Sequence, residues 1–188
     1  MTLAFFGFLR IGELTCNSVF SEKHNLMAKD IRFLPKSDPQ YMLIRIKVSK
    51  TDPFRQGHTI LVGKSHSKIC PVSAMLAYLA TKDLNLEPGP IFTYQSGSYL
   101  TREKLTSETR LLLSKGGLNS SEYAGHSFRI GAATTAAAAN IPPWLIKVLG
   151  RWSSDCFERY IKTPTSLLAQ VSQRLVPNNN CLGTKIFS

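Results

Sequence analysis

Gly125-His126-Ser127-Phe128-Arg129 opens an alanine-rich run that ends at Asn140. Alanine has the best intrinsic helix propensity, so a helix is predicted from His126 to Asn140. His126 and Arg129 stand three apart at its start, a spacing that puts an imidazole and a guanidinium on one face. The unpaired N–H groups of a helix start favour an anion there. Arg10-Ile11-Gly12-Glu13 repeats the spacing near the beginning of the chain. Either pair alone reads as a surface ion pair or a helix cap, because such pairs are common on solvated helix faces. Leu149-Gly150-Arg151-Trp152 follows the alanine-rich run, and Tyr160 comes next. Taken alone, that tyrosine reads as a core or boundary aromatic that buries its ring and wets its hydroxyl.

Working outward, Leu3 to Leu14 is an apolar helical stretch with no cap before it. A helix that begins with its body suggests a fragment, with any N-terminal domain absent. Three short strands are predicted at Ile31 to Phe33, Tyr41 to Val48 and His58 to Val62. In the second, Ile44, Ile46 and Val48 alternate with Arg45 and Lys47. Pro35 to Gln40 and Thr51 to Gly57 supply the turns between them. Pro71 suits a first helical position, with Val72, Met75, Leu76 and Leu79 following at helical spacing. Thr101 begins another helix that Gly116-Gly117 ends. Pro142-Pro143 precedes a short helix from Trp144 to Leu149. Ser153-Ser154 offers a cap for Asp155 to Ile161. Ser166 to Leu175 reads as a last amphipathic helix. The fold class expected is α+β: a mainly helical domain carrying a small three-stranded antiparallel sheet. The domain is placed at residues 1–176, with a flexible polar tail at 177–188.

The formal net charge is +11 and the pI about 9.7. A domain this basic is expected to meet a polyanion, and nucleic acid is the first candidate. No run of eighteen apolar residues exists, so no membrane span is expected. The first residues lack a basic leader and a small-residue cleavage site, so they do not read as a signal peptide. Cys16, Cys70, Cys156 and Cys181 form no CxxC pair, so they read as reduced thiols of an intracellular protein. Gly63-Lys64-Ser65 looks like the end of a phosphate loop, but position 58 is His58 and the upstream glycine is missing. Lys64, His66 and Lys68 form a basic strand end, either a solvated loop or a set of backbone-phosphate contacts.

The ordered set is Arg-x-x-Glu, a hairpin lysine, His-x-x-Arg, Gly-Arg-Trp and a late tyrosine. This set resembles the tyrosine recombinase family, from about Phe5 to Leu175. The stretches Phe-Gly-Phe-Leu-Arg-Ile-Gly-Glu-Leu, Gly-His-Ser-Phe-Arg-Ile-Gly-Ala-Ala and Leu-Gly-Arg-Trp look most like recombinases of DIRS-like and Crypton mobile elements of eukaryotes. The resemblance implies the tyrosine recombinase catalytic domain fold, without its N-terminal core-binding domain. By resemblance, Arg10 is the first arginine of the site and Glu13 the acid that supports it. Lys50, in Val48-Ser49-Lys50-Thr51, matches the hairpin lysine. His126 and Arg129 match the His-x-x-Arg box. Trp152 stands where many members have histidine and some tryptophan. Tyr160 matches the nucleophile, although it follows Trp152 by one residue fewer than in many bacterial members.

The chemistry implied is strand cleavage and rejoining through a 3′-phosphotyrosyl intermediate. Charge builds on two non-bridging oxygens, which two arginine forks grip better than lysine can. A tyrosine hydroxyl is a weak nucleophile until its proton leaves, and His126 suits acid–base work near neutral pH. The resemblance gives Lys50 the protonation of the leaving 5′ oxygen. The Trp152 indole can donate to a phosphate oxygen but cannot relay a proton. No metal or other cofactor is expected. Lys47, Arg55, Lys64, Lys68, Lys147 and Arg151 are expected to contact the DNA backbone. The partners implied are double-stranded DNA and, on it, three further copies in a homo-tetramer, with a monomer in its absence. The expected location is the nucleus. A type IB topoisomerase-like enzyme and an inactive DNA-binding remnant of a mobile element are the rival readings. Binding of one phosphate requires Arg10 and Arg129 to face a common void, with His126 beside Arg129 and the Trp152 N–H turned towards it.

Overall fold

A computed structural model describes residues 1–161, apart from 18, 50, 51, 53, 55 and 83–87; the side chains of Cys156, Phe157 and Tyr160 are also outside the description. The sequence pattern that alternates apolar and charged residues forms the sheet. Strands β1 (Ile31–Leu34), β2 (Tyr41–Ile46) and β3 (His58–Gly63) pair antiparallel in the order β1-β2-β3. Ile44 is paired with Ile31 on one side and Ile60 on the other. Met42, Ile44 and Ile46 are buried while Arg45 is exposed, as a period of two requires. β2 ends at Ile46, short of the expected Val48. Gly57 (φ +68°), next to the last ladder pair Ile46–His58, gives its N–H to Asp52 Oδ2 at 2.6 Å.

The described residues form five α-helices. They are α1 (Thr2–Phe6), α2 (Pro71–Ala80), α3 (Arg102–Lys115), α4 (Ser127–Ala138) and α5 (Pro143–Gly150). Of these, α2 packs directly on the sheet. Proline opens α2 and α5, where a missing N–H does no harm. The Thr101 hydroxyl caps α3 by accepting the Lys104 N–H at 3.2 Å, and Gly116 ends it. One core joins the sheet to α1 and α2 through Leu9, Met42, Ile44, Val72 and Met75. Each such burial contributes roughly 1.5–3 kcal/mol. A second, smaller core holds Phe8, Ala132, Ala133 and Ile146, with Trp152 and Ile161 packed against it. Phe8, just after α1, therefore sits between α4 and α5.

The α+β expectation and its three strands agree with the structure, and the predicted starts of α2 and α3 fall in place. The predicted helix from Leu3 to Leu14 is corrected: α1 stops at Phe6, Phe8 turns left-handed at φ +49°, and Ile11–Glu13 is a separate 3-10 turn. His126 is the N-cap of α4 rather than its first residue. Asp155–Tyr160 is a 3-10 turn whose N-cap, Ser154, makes no side-chain capping bond. The helix expected at Ser166 to Leu175 and the tail at 177–188 lie outside the described residues. Among the described residues no helix is long and apolar enough to cross a membrane.

Cys70 caps α2 in place of a hydroxyl or carboxylate residue, its Sγ accepting the Ser73 N–H at 3.5 Å. Burial opposes the thiolate. Hydrogen bonding from Ser73, Ser65 and Val72 outweighs it and brings the thiol down to about 6. An unfolded cysteine titrates near about 8.5. A depressed acid stabilises the fold fully above the unfolded value and loses that contribution as pH falls through the folded one. The thiolate absorbance is therefore expected to show a step with a midpoint near 6, absent in Cys70→Ser. A midpoint near about 8.5 in the folded chain would rule out the capping thiolate.

Candidate active site

The site grows from the end of α1. Leu9 donates its N–H to Ala4 O at 2.9 Å, and the chain turns through Gly7 and Phe8. A left-handed non-glycine residue costs roughly 1–2 kcal/mol, so tertiary contacts must hold this turn. Two guanidinium groups do so. Arg129, buried on α4, donates Nη1 to Phe8 O at 3.0 Å and Nη2 to Gly150 O. Arg151 donates Nη1 to Gly7 O at 3.4 Å and Nη2 to Phe8 O at 3.5 Å. Arg151 is itself left-handed (φ +54°, ψ +44°) at the C-cap of α5, which turns its side chain inward.

Glu13 is the hub of the charges. Its Oε2 accepts Arg151 Nη2 at 2.7 Å and the Arg10 backbone N–H at 2.9 Å. Its Oε1 accepts Arg10 Nη1 at 3.3 Å, and the same Nη1 donates to Ser49 Oγ at 2.6 Å. The Glu13 side chain is 3% exposed, that of Arg151 8% and that of Arg10 18%. Burial pushes the Arg151 guanidinium below its ordinary range; the Glu13 carboxylate opposes that and the Arg10 charge adds to it. Arg10, Glu13, Arg151 and Arg129 thus form one connected set through the Phe8 carbonyl. Arg10, the most open of the three arginines, stands at its edge.

Trp152 closes the cluster from below. Its ring meets Phe8 edge to face at 6.3 Å between centroids, and the Arg129 guanidinium carbon lies 4.3 Å from the ring centre. Such stacking contributes about 0.5–2 kcal/mol. Gly150 makes the approach possible, since a Cβ there would lie 1.5 Å from the Trp152 ring. Gly150→Ala is expected to displace the indole, lower stability by about 1–3 kcal/mol and shift tryptophan emission. Unchanged emission and melting temperature would refute this packing.

The remaining predicted residues fall as follows. His126 is exposed and its side chain caps nothing. Its neighbour Gly125 packs on Ile11, where a Cβ would meet Ile11 at 2.7 Å, so the start of α4 abuts the Arg10–Glu13 turn. His126 and Arg129 do not share one environment, because one is solvated and the other buried. The backbone of Tyr160 ends the Asp155–Tyr160 turn, and Ile161 anchors that end beside Trp152 in the second core. Lys50, Arg55 and the Tyr160 side chain lie outside the described residues.

Among the residues expected to touch DNA, Lys64 and Lys68 are exposed, with Lys64 3.5 Å from Asp38. Lys147 pairs with Asp155 at 2.7 Å, tying α5 to the tyrosine's turn. Two are placed inside instead. Arg151 belongs to the buried set just described. Lys47 is committed to Asp30 Oδ2 at 2.6 Å and to the carbonyls of Glu22 and Asn25 at 2.8 and 3.0 Å, which occupies the three donors of its ammonium. Sequence reasoning missed Ser49, which holds Arg10, and the Gly7, Phe8 and Gly150 carbonyls. Carbonyl acceptors leave no mark in a sequence, whereas Ser49 was legible as the neighbour of Lys50.

No protein-family model and no curated protein sequence matches this chain. Its fold is that of tyrosine recombinase catalytic domains. The crystal structure of XerA recombinase superposes with a TM-score of 0.65 and 17% identity, over 94% of this chain and 56% of that one. XerH site-specific recombinase, bound to its difH substrate before cleavage, gives 0.61 and 18%, over 94% and 46%. The Tn1549 transposon integrase in complex with circular-intermediate DNA gives 0.60 and 16%, over 93% and 58%. The chain spans about half the length of these proteins.

Proposed function

We propose that this chain cleaves and rejoins DNA strands in site-specific recombination or integration, through a 3′-phosphotyrosyl bond to Tyr160. The observation that carries the reading is the joining of the Arg10–Glu13 pair to Arg129 and Trp152, more than a hundred residues further along the chain, around one left-handed turn. Arg10 and Arg129 stabilise the charge on the non-bridging oxygens, and Glu13 aims Arg10. His126, solvated at the start of α4, assists proton transfer. Lys50 protonates the departing 5′ oxygen. The XerH and Tn1549 integrase structures hold DNA, and a net charge of +11 suits the same partner. Assembly as a tetramer on DNA, a nuclear location and a mobile element of the DIRS-like or Crypton type complete the reading; the last rests on motif wording.

A specific observation favours a second reading, a DNA-binding remnant without activity. Arg129 is 6% exposed and bonds backbone carbonyls, so it must change partners to grip a phosphate. The experiment that separates the two is incubation with a nicked suicide duplex, followed by a denaturing gel. A protein–DNA adduct is expected; affinity for the duplex without any adduct would select the remnant.

A further inference from the structure

A second basic site lies where the turn 21–25 meets the end of β2. Lys23, His24, Arg45, Lys47, Val48 and Gln56 line a cavity of about 340 Å³ there. Among the described residues its lining carries four basic side chains and no carboxylate. The nearby acids are already partnered. Glu22 pairs with Lys29 at 3.0 Å, Asp30 with Lys47, and Asp52 accepts the amides of Gln56 and Gly57.

The site is built rather than accidental. Lys47 grips the carbonyls of Glu22 and Asn25, the two residues that flank Lys23 and His24. The same turn is closed by Asn25 N–H to Ser21 O at 2.8 Å, with Ser21 Oγ 2.9 Å from His24 Nδ1. Arg45 is braced by the Gln56 carbonyl. Lys47 is therefore the frame, while Lys23, His24 and Arg45 are exposed and remain to meet an anion.

Val48 links this cavity to the candidate active site. The next residue is Ser49, whose hydroxyl accepts Arg10 Nη1 at 2.6 Å. Phosphates along a DNA strand rise about 3.4 Å each, so a duplex with one phosphate at Arg10 carries further phosphates close by on the same strand. We propose that Lys23, His24 and Arg45 form a second phosphodiester site, which grips the duplex backbone beside the phosphate held at Arg10. This rests on the DNA reading above but not on cleavage.

The test is fluorescence anisotropy with an intact duplex over a potassium chloride series. Each lost phosphate contact flattens the log–log salt slope by about 0.9, which is about eightfold in affinity near 0.1 M salt. Lys23→Ala and Arg45→Ala are each expected to show that loss, and Lys115→Ala, in the last turn of α3, none. Wild-type slopes in both Lys23→Ala and Arg45→Ala would overturn the site and leave the DNA reading intact. A flat slope for the wild type would overturn the DNA reading and this site with it. Inorganic phosphate binding that Lys23→Ala abolishes, with duplex affinity unchanged, would assign the cavity to a free anion and also overturn the proposal. A wild type that forms no adduct but shows the expected slopes would support the site and refute cleavage alone.

Discussion

Tyr160→Phe is expected to abolish the covalent protein–DNA adduct and to leave duplex affinity nearly unchanged. In the proposed step the phenol oxygen forms a bond to phosphorus while the bond to the 5′ oxygen breaks. The phenol proton leaves, and the 5′ oxygen gains one. Phenylalanine lacks the attacking oxygen, so no partial activity should survive. The turn that carries Tyr160 is fixed at both ends. Asp155 pairs with Lys147 at 2.7 Å, and Ile161 donates its N–H to Glu158 O at 3.0 Å while packing on the second core. The substitution removes one oxygen and leaves those anchors in place, so binding through the basic groups should persist. Phe157 and Phe128 offer no hydroxyl, and Tyr123 precedes the His-x-x-Arg box. The measurement is a denaturing gel on a suicide duplex, beside an anisotropy titration. Adducts formed by Tyr160→Phe would point to another nucleophile and end the assignment.

Local pattern carried most of the fold. Ile44 and Ile46 alternate with Arg45 because one face of β2 is buried, and Pro71 and Thr101 mark helix starts by chemistry that acts within a few residues. The pattern failed where the deciding contact comes from far along the chain. Leu3 to Leu14 has helical periodicity, yet the helix breaks at Gly7 because guanidinium groups from positions 129 and 151 bind the freed carbonyls. Nothing near Phe8 in the sequence announces those partners. The candidate site was legible as a set of residue types but not as an arrangement. Arg151 reads as a DNA contact on its charge alone. Its left-handed backbone sends the side chain inward to Glu13 instead. Lys47 likewise sits on a basic strand, but Asp30, seventeen positions upstream, meets it only after β1 and β2 pair. His126 and Arg129 have helical spacing, yet N-cap geometry leaves the first in solvent and the second in the core.

Glu13→Ala is expected to destabilise the chain by about 3–5 kcal/mol, as removal of one partner from a buried ion pair does. Against a typical total of about 5–15 kcal/mol, that is a large share. Glu13 is the carboxylate that both Arg10 and Arg151 contact, and Arg151 is almost wholly enclosed. Without it, the Arg151 guanidinium stays buried beside Arg129 with only the Gly7 and Phe8 carbonyls to face. The effect should appear in urea unfolding as a lower midpoint with an unchanged slope, the mark of altered stability rather than altered compactness. Charge and packing can be separated. Glu13→Ala combined with Arg151→Met removes the stranded charge and fills part of its space, so the double variant should be more stable than Glu13→Ala alone. Lys147→Ala, which breaks an exposed pair, should change stability by no more than about 1 kcal/mol. If Glu13→Ala unfolded within about 0.5 kcal/mol of the wild type, Glu13 would not be holding the guanidinium groups, and the aim it gives Arg10 would have to come from Ser49 alone.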